Sequence, residues 1–127
     1  MLETFEQQTK PLDEYESGTL LPIMVKCLSR HVGKSAVITN TKMRERLSLF
    51  GYDVGGARIR KLINHIRLHG LVECLIATGR GYYVTRSVAE LEKYIKSLRG
   101  RVEAIQAIIE ALLKQLEKLK QKQNDLG

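Results

Sequence analysis

Apolar residues recur at alternating steps of three and four from Val88 to Leu126, the most regular pattern in the chain. Val88, Leu91, Ile95, Leu98, Val102, Ile105, Ile109, Leu112, Leu116, Leu119 and Leu126 keep to it, and only Gln123 interrupts it. A straight helix of 3.6 residues per turn lets such a seam drift, so the pattern stays on one line only if the helix supercoils about a partner. The expected partner is another copy of the chain, because the repeat outruns any surface that a domain of about ninety residues offers. In heptad terms Ile95, Val102, Ile109, Leu116 and Gln123 occupy position a, while Leu91, Leu98, Ile105, Leu112, Leu119 and Leu126 occupy d. Gly100 falls at f, on the outside, where it costs about 1 kcal/mol of helix propensity without opening the seam.

Ahead of the repeat the pattern shortens into separate elements. Residues 1–18 hold few apolar positions and carry Pro11, Asp13, Ser17 and Gly18, which predicts an acidic, mobile leader. Thr19 is a candidate helix cap with Pro22 in the first turn, followed by the stripe Leu20, Ile23, Met24, Cys27 and Leu28, and Gly33 is the expected stop. Ala36-Val37-Ile38 predicts a short strand, and Thr39 and Asn40 cap a second helix with Met43, Leu47 and Phe50 inward. A third helix from Gly55 or Gly56 to His69 puts Ile59, Leu62, Ile63 and Ile66 on one face, and Gly70 closes it. Leu71 to Ala77 and Tyr82 to Arg86 predict two strands around the turn Thr78-Gly79-Arg80-Gly81, and Ser87 or a neighbour caps the final helix. The expected class is mainly α with a small β-hairpin: a leader at 1–18, a domain at 19–87 and a coiled-coil helix at 88–126.

Charge changes this picture from architecture to partner. The net +7 of the 127 residues is uneven. Residues 1–18 carry five acids against Lys10, residues 87–127 eight bases against six acids, and residues 19–86 twelve bases against Glu45, Asp53 and Glu73, a local net of +9. Such a density attracts polyanions, and nucleic acid is the commonest of these for a cytosolic chain. A cytoplasmic location is expected, since no apolar run reaches the roughly 18 residues of a membrane span and the first residues lack the basic and apolar regions of a signal peptide. Cys27 and Cys74 stand far apart, which suits reduced thiols better than a disulfide.

The helix-turn-helix run from Thr39 to Gly70, followed at once by a hairpin from Gly70-Leu71-Val72 to Gly81-Tyr82-Tyr83-Val84, resembles the winged helix-turn-helix DNA-binding fold over residues 19–87. It is also similar to the small winged-helix proteins of bacteriophages and mobile elements. The resemblance implies that the third helix enters the major groove of double-stranded DNA. Turning 100° per residue away from Ile59 and Ile66 places Ala57, Lys61, Asn64 and Leu68 outermost, with Arg60 and His65 at the sides. Asn64 suits an adenine edge; Arg60 and Lys61 suit guanine acceptors or phosphates, with Arg58 a further DNA-binding cation of the same helix; Ala57 permits close approach, and Gly55 and Gly56 leave the helix N-terminus open to a phosphate. Leu68 fits either beneath the hairpin or on a thymine methyl. Arg80, between two glycines, matches the family's basic wing tip, with Arg86 a weaker second, and Lys42, Arg44 and Arg46 on the second helix are expected to position phosphates. Roughly six to eight phosphates per subunit are then neutralised, and affinity falls steeply with salt.

Other chemistry finds little support. Gly33-Lys34-Ser35 ends like a phosphate-binding loop, but Leu28 stands where that motif needs glycine. His65 and His69 have a metal-site spacing near Cys74 without a carboxylate or second cysteine to complete the set, so no cofactor is expected. No nucleophile arrangement is recognisable, and the chain is expected not to be an enzyme. The coil's orientation stays open: a parallel dimer offers no attractive pair between g and e positions, an antiparallel one centred near Ala107 sets Glu92 near Lys120, and Ile108 with Leu113 widen the apolar face enough for a tetramer. The expectation is a homo-oligomeric, sequence-specific DNA-binding protein, a transcriptional regulator or a phage or plasmid accessory factor. The alternative is an adaptor whose domain and coil assemble a replication or virion complex.

Overall fold

The computed structural model describes residues 9–126, which divide into two units, one ending at Ser87 and one starting at Val88. The chain is mainly helical, with one two-stranded antiparallel hairpin and a long C-terminal helix. No helix among the described residues is long and apolar enough to cross a membrane.

The first helix begins earlier than Thr19. The Glu16 amide donates to Asp13 Oδ1 at 2.8 Å and the Asp13 amide donates to Glu16 Oε1 at 3.0 Å, a reciprocal capping box that starts the helix at Glu14. Glu16–Leu20 is a π-helical turn that runs into α1, Leu21–Leu28. Pro22 accounts for the widening, because its ring and missing N–H do not fit the interior of a regular α-helix. The second half of the acidic segment is thus a helix start with Glu16 buried, not a loose leader; Glu3 and Glu6 lie outside the described residues. Leu20, Met24 and Leu28, four apart, form the fully buried edge of this helix.

Lys34–Ala36 is a 3-10 turn, which takes Ala36 out of the strand expected over Ala36-Val37-Ile38. The strand shrinks to Ile38, whose backbone exchanges two hydrogen bonds of 2.9 Å with Tyr82. Thr39 caps α2, Asn40–Leu49, by accepting from the Lys42 amide at 3.1 Å. Met43 and Leu47 are buried as expected, but Phe50 is 67% exposed, since the helix ends at Leu49 and the chain turns away through Gly51 at φ 88°. α3, Gly56–His69, buries Ile59, Leu62, Ile63 and Ile66, and Gly70 ends it in the left-handed conformation.

Strands β1, Leu75–Thr78, and β2, Gly81–Val84, pair antiparallel with Ile76 opposite Tyr83 and Ala77 opposite Tyr82. Both are shorter than their apolar runs. Leu71 to Cys74 is turn, with Cys74 at φ 59°, and Thr85 and Arg86 leave the ladder once the Thr85 amide bonds the Cys74 carbonyl at 3.0 Å. The core lies between α1, α2, α3 and the inner face of the hairpin, where Val54, Val72, Leu75 and Tyr82 close it.

The second unit is α4, Val88–Leu126, one helix of 39 residues that continues through Gly100. Along it Val102, Ile105, Ile109, Leu112, Leu116 and Leu119 stay exposed, the seam that the heptads predict.

Candidate nucleic-acid interface

α3 carries four cations, Arg58, Arg60, Lys61 and Arg67, and no acid. The fold treats them differently. Lys61 Nζ donates to Glu16 Oε1 at 2.7 Å, and Arg58 Nε donates to Glu16 Oε2 at 3.1 Å. Arg58 also stands 3.6 Å from Asp13 and lies over the Tyr15 ring. Glu16 is almost fully buried, so both cations are bound to a carboxylate that water barely reaches. Burial works to raise the Glu16 carboxyl, yet the Lys61 ammonium and the Asp13 backbone outweigh it and hold the group below its ordinary range.

These contacts correct the expected face. Lys61, placed outermost by its angle on the helix, is only 15% exposed because the segment before α1 lies against it. Lys10, Asp13 and Glu16 line a hollow of about 230 Å³ with Ala57, Arg58 and Lys61. A second hollow, about 470 Å³, lies between Thr9–Leu12 with Ser17 and the α3 residues Asn64, His65, Leu68 and His69. Asn64 and His65 are accordingly half-buried, while Ala57 is exposed and Leu68 74% exposed. Burial, and then the neighbouring His69 ring at 4.2 Å, lower the His65 pKa from its ordinary value. Asp13-x-x-Glu16 was the signal for this arrangement in the sequence, a capping-box spacing that the acidic composition around it obscured.

Arg60 is exposed and takes part in no ion pair among the described residues. Its guanidinium reaches back over Gly56, where a Cβ would meet Nη1 at 3.4 Å. Burial raises the Tyr82 hydroxyl, and the charges of Arg60 and Arg67 oppose that rise. At the hairpin tip the Thr78 hydroxyl accepts from the Arg80 amide at 3.1 Å and donates to the Gly81 carbonyl at 3.3 Å. Those bonds hold the turn and leave the Arg80 side chain exposed. A Cβ on Gly81 would stand 2.1 Å from the Ile38 carbonyl oxygen, so glycine is required there by contact as well as by its φ of 142°.

On α2, Lys42 is exposed and 3.4 Å from Glu45, and Arg44 donates to the Val54 carbonyl at 3.1 Å while staying exposed. Arg46 is committed elsewhere. Its Nη1 lies 2.8 Å from His31 Nε2 and 3.4 Å from Cys27 Sγ. Since a guanidinium only donates, His31 accepts at Nε2 and donates from Nδ1 to the Ala36 carbonyl at 2.8 Å. This tie between the end of α1 and α2 had no local signal in the sequence, because its members lie 15 and 5 residues apart on separate elements.

The arrangement leaves Arg60, Arg80, Arg86, Lys42 and Arg44 accessible to an anion, covers Lys61 beside Glu16, and ties Arg58 to Glu16 and Asp13 with 41% of its side chain still exposed. No family profile, curated protein or solved structure matches this chain.

Proposed function

We propose that the chain is a homo-oligomeric, sequence-specific binder of double-stranded DNA built on a winged helix-turn-helix unit, acting in the cytoplasm as a transcriptional regulator or a phage or plasmid accessory factor. The observation that carries this reading is that Arg60 on α3, Arg80 at the hairpin tip and Arg86 are exposed and form no ion pair among the described residues, within a segment of net +9. In a winged helix these positions correspond to the groove-facing helix and the wing, with Lys42 and Arg44 on phosphates. With Arg58 and Lys61 engaged by Glu16, the number of phosphates neutralised falls to roughly four to six per subunit. Helix α4 supplies the second half of the function, since linked units gain affinity through effective concentration.

A protein-docking role for the same unit has one observation in its favour: Leu68, 74% exposed, sits beside half-buried Asn64 and His65 on a face partly covered by Thr9–Leu12 and Ser17. Titrating mixed duplexes at two salt concentrations separates the readings. DNA binding predicts an affinity that falls with salt, and that falls roughly a hundredfold for Arg60→Ala combined with Arg80→Ala. Salt-insensitive or absent binding by a folded protein supports docking instead.

A further inference from the structure

Helix α4 presents an apolar stripe along its whole length, and its flanking residues determine what covers it. Val88 and Leu126, the first and last residues of the helix, both belong to the seam and are 73% and 89% exposed. In a coil, antiparallel strands place a residues against d residues of the partner. A dyad at Ala107 is the register that uses the entire helix: Val88 then meets Leu126, Ile95 meets Leu119 and Ile105 meets Ile109. Gln123 faces Leu91, the single polar intrusion in the seam. Moving the register by one heptad in one direction sets Arg99 against Lys120 and Arg101 against Lys122, and in the other direction leaves Leu126 without a partner.

The flanks select the same register. Antiparallel pairing brings e beside e and g beside g. Glu92 then lies by Lys120, twice by symmetry, and no like charges face each other. Ile108, 59% exposed at g, meets its own symmetry mate, and Leu113, 54% exposed at e, falls under the aliphatic stem of Arg99. The two apolar residues that widen the seam are thereby covered within a dimer. A parallel coil matches Tyr94 with Arg99 and Gln115 with Lys120, without one opposite-charge pair.

We propose that α4 pairs antiparallel with α4 of a second copy across a dyad at Ala107, so that one dimer carries two DNA-binding units at opposite ends of the coil and holds two DNA segments together. The DNA half of this inference rests on the reading given under Proposed function. Val88 follows Ser87 directly, so each unit departs from the coil at its own Val88. With 39 residues in the helix, those two ends lie about 57 Å apart. Half-sites of a palindrome lie about 34 Å apart on one face of one duplex, a spacing that a parallel coil with adjacent Val88 ends serves and this one does not. The dimer joins separate segments, or distant sites on one molecule.

The full chain carrying Cys27→Ser and Cys74→Ser provides the background for the test. Chains with Ile95→Cys are mixed with chains of different mass carrying Leu119→Cys, and disulfides are allowed to form. The expected product is the mixed dimer, with neither variant linking to itself. Self-linking of Ile95→Cys, or a monomer in sedimentation, overturns the antiparallel dimer. A second measurement leaves the seam untouched: Glu92→Lys weakens the dimer and adding Lys120→Glu restores it, whereas in a parallel coil the second change restores nothing. Capture of a free labelled duplex by a bead-bound one then reads the bridging. The full chain is expected to raise capture at least about tenfold, and Ile105→Asp with Ile109→Asp to abolish the gain while single-duplex binding persists. Binding to one duplex without capture of a second overturns bridging and leaves the DNA-binding reading standing. Absence of any duplex binding overturns that reading and the bridging together, with the cross-links still reporting the coil.

Discussion

Glu16 is the residue on which the two halves of the basic unit's charge distribution turn. Its carboxylate receives Lys61 and Arg58 while the Asp13 amide caps it, and Glu16 itself is about 1% exposed. Removing one member of a buried ion pair leaves the others without compensation, so Glu16→Ala is expected to lose about 3 kcal/mol in denaturant unfolding. The pH dependence follows from the same group. Because its folded pKa lies below the reference value of 4.5, the stabilisation is complete above that pH and is lost as pH falls through the folded value. Acid titration followed by circular dichroism should therefore show a destabilisation below pH 4.5 that Glu16→Gln largely removes. Gly81 is sensitive for a different reason: Gly81→Ala drives a methyl into the Ile38 carbonyl and is expected to cost about 2–3 kcal/mol, read as a lowered thermal midpoint. Arg80→Ala should leave that midpoint unchanged and weaken duplex binding alone, since its side chain projects from the turn without holding it.

Among the elements, the helices with strong local signals came out nearly where their patterns put them. The 3.6-residue repeat of Ile59, Leu62, Ile63 and Ile66, with glycine at both ends, determines α3, and Thr39 caps α2 through its own side chain. Thr39→Ala is accordingly expected to cost about 1 kcal/mol, measurable by urea unfolding. The strands were harder to read, because apolar runs such as Leu71 to Ala77 serve equally as core-facing turn, and pairing stops where partner backbone runs out. Ile38 behaves as a strand for one residue only, at the point where Tyr82 offers both its N–H and its carbonyl. In α4 the helix was legible over its whole length, since a heptad repeat is local information repeated many times. Gly100 is the one weak link in that helix, with nothing within 4 Å of the position a Cβ would take. Gly100→Ala should stabilise the helix by about 1 kcal/mol per chain, detectable as a rise in the melting temperature of its helical signal.

For the molecule as a whole, the proposed function divides contact and multiplicity between the basic unit and the long helix. On that proposal contact strength depends on the exposed cations, so raising salt weakens it, while multiplicity depends on an apolar seam that salt leaves nearly intact. Sedimentation and duplex binding measured across the same salt series should therefore diverge, with the oligomer persisting where DNA is released. From the sequence alone came the mainly α class with a small hairpin, the helix cores apart from Phe50, the +9 segment and the heptads, because hydrophobic period and net charge are carried by neighbouring residues. Only the tertiary structure decided which cations remain accessible. Asp13 and Glu16 lie 42 to 48 positions before Arg58 and Lys61, and an angle measured around α3 alone has no way to know that another segment covers it. A charge at the surface of one helix becomes a buried pair only when the chain brings a second helix to it, and that is a property of packing.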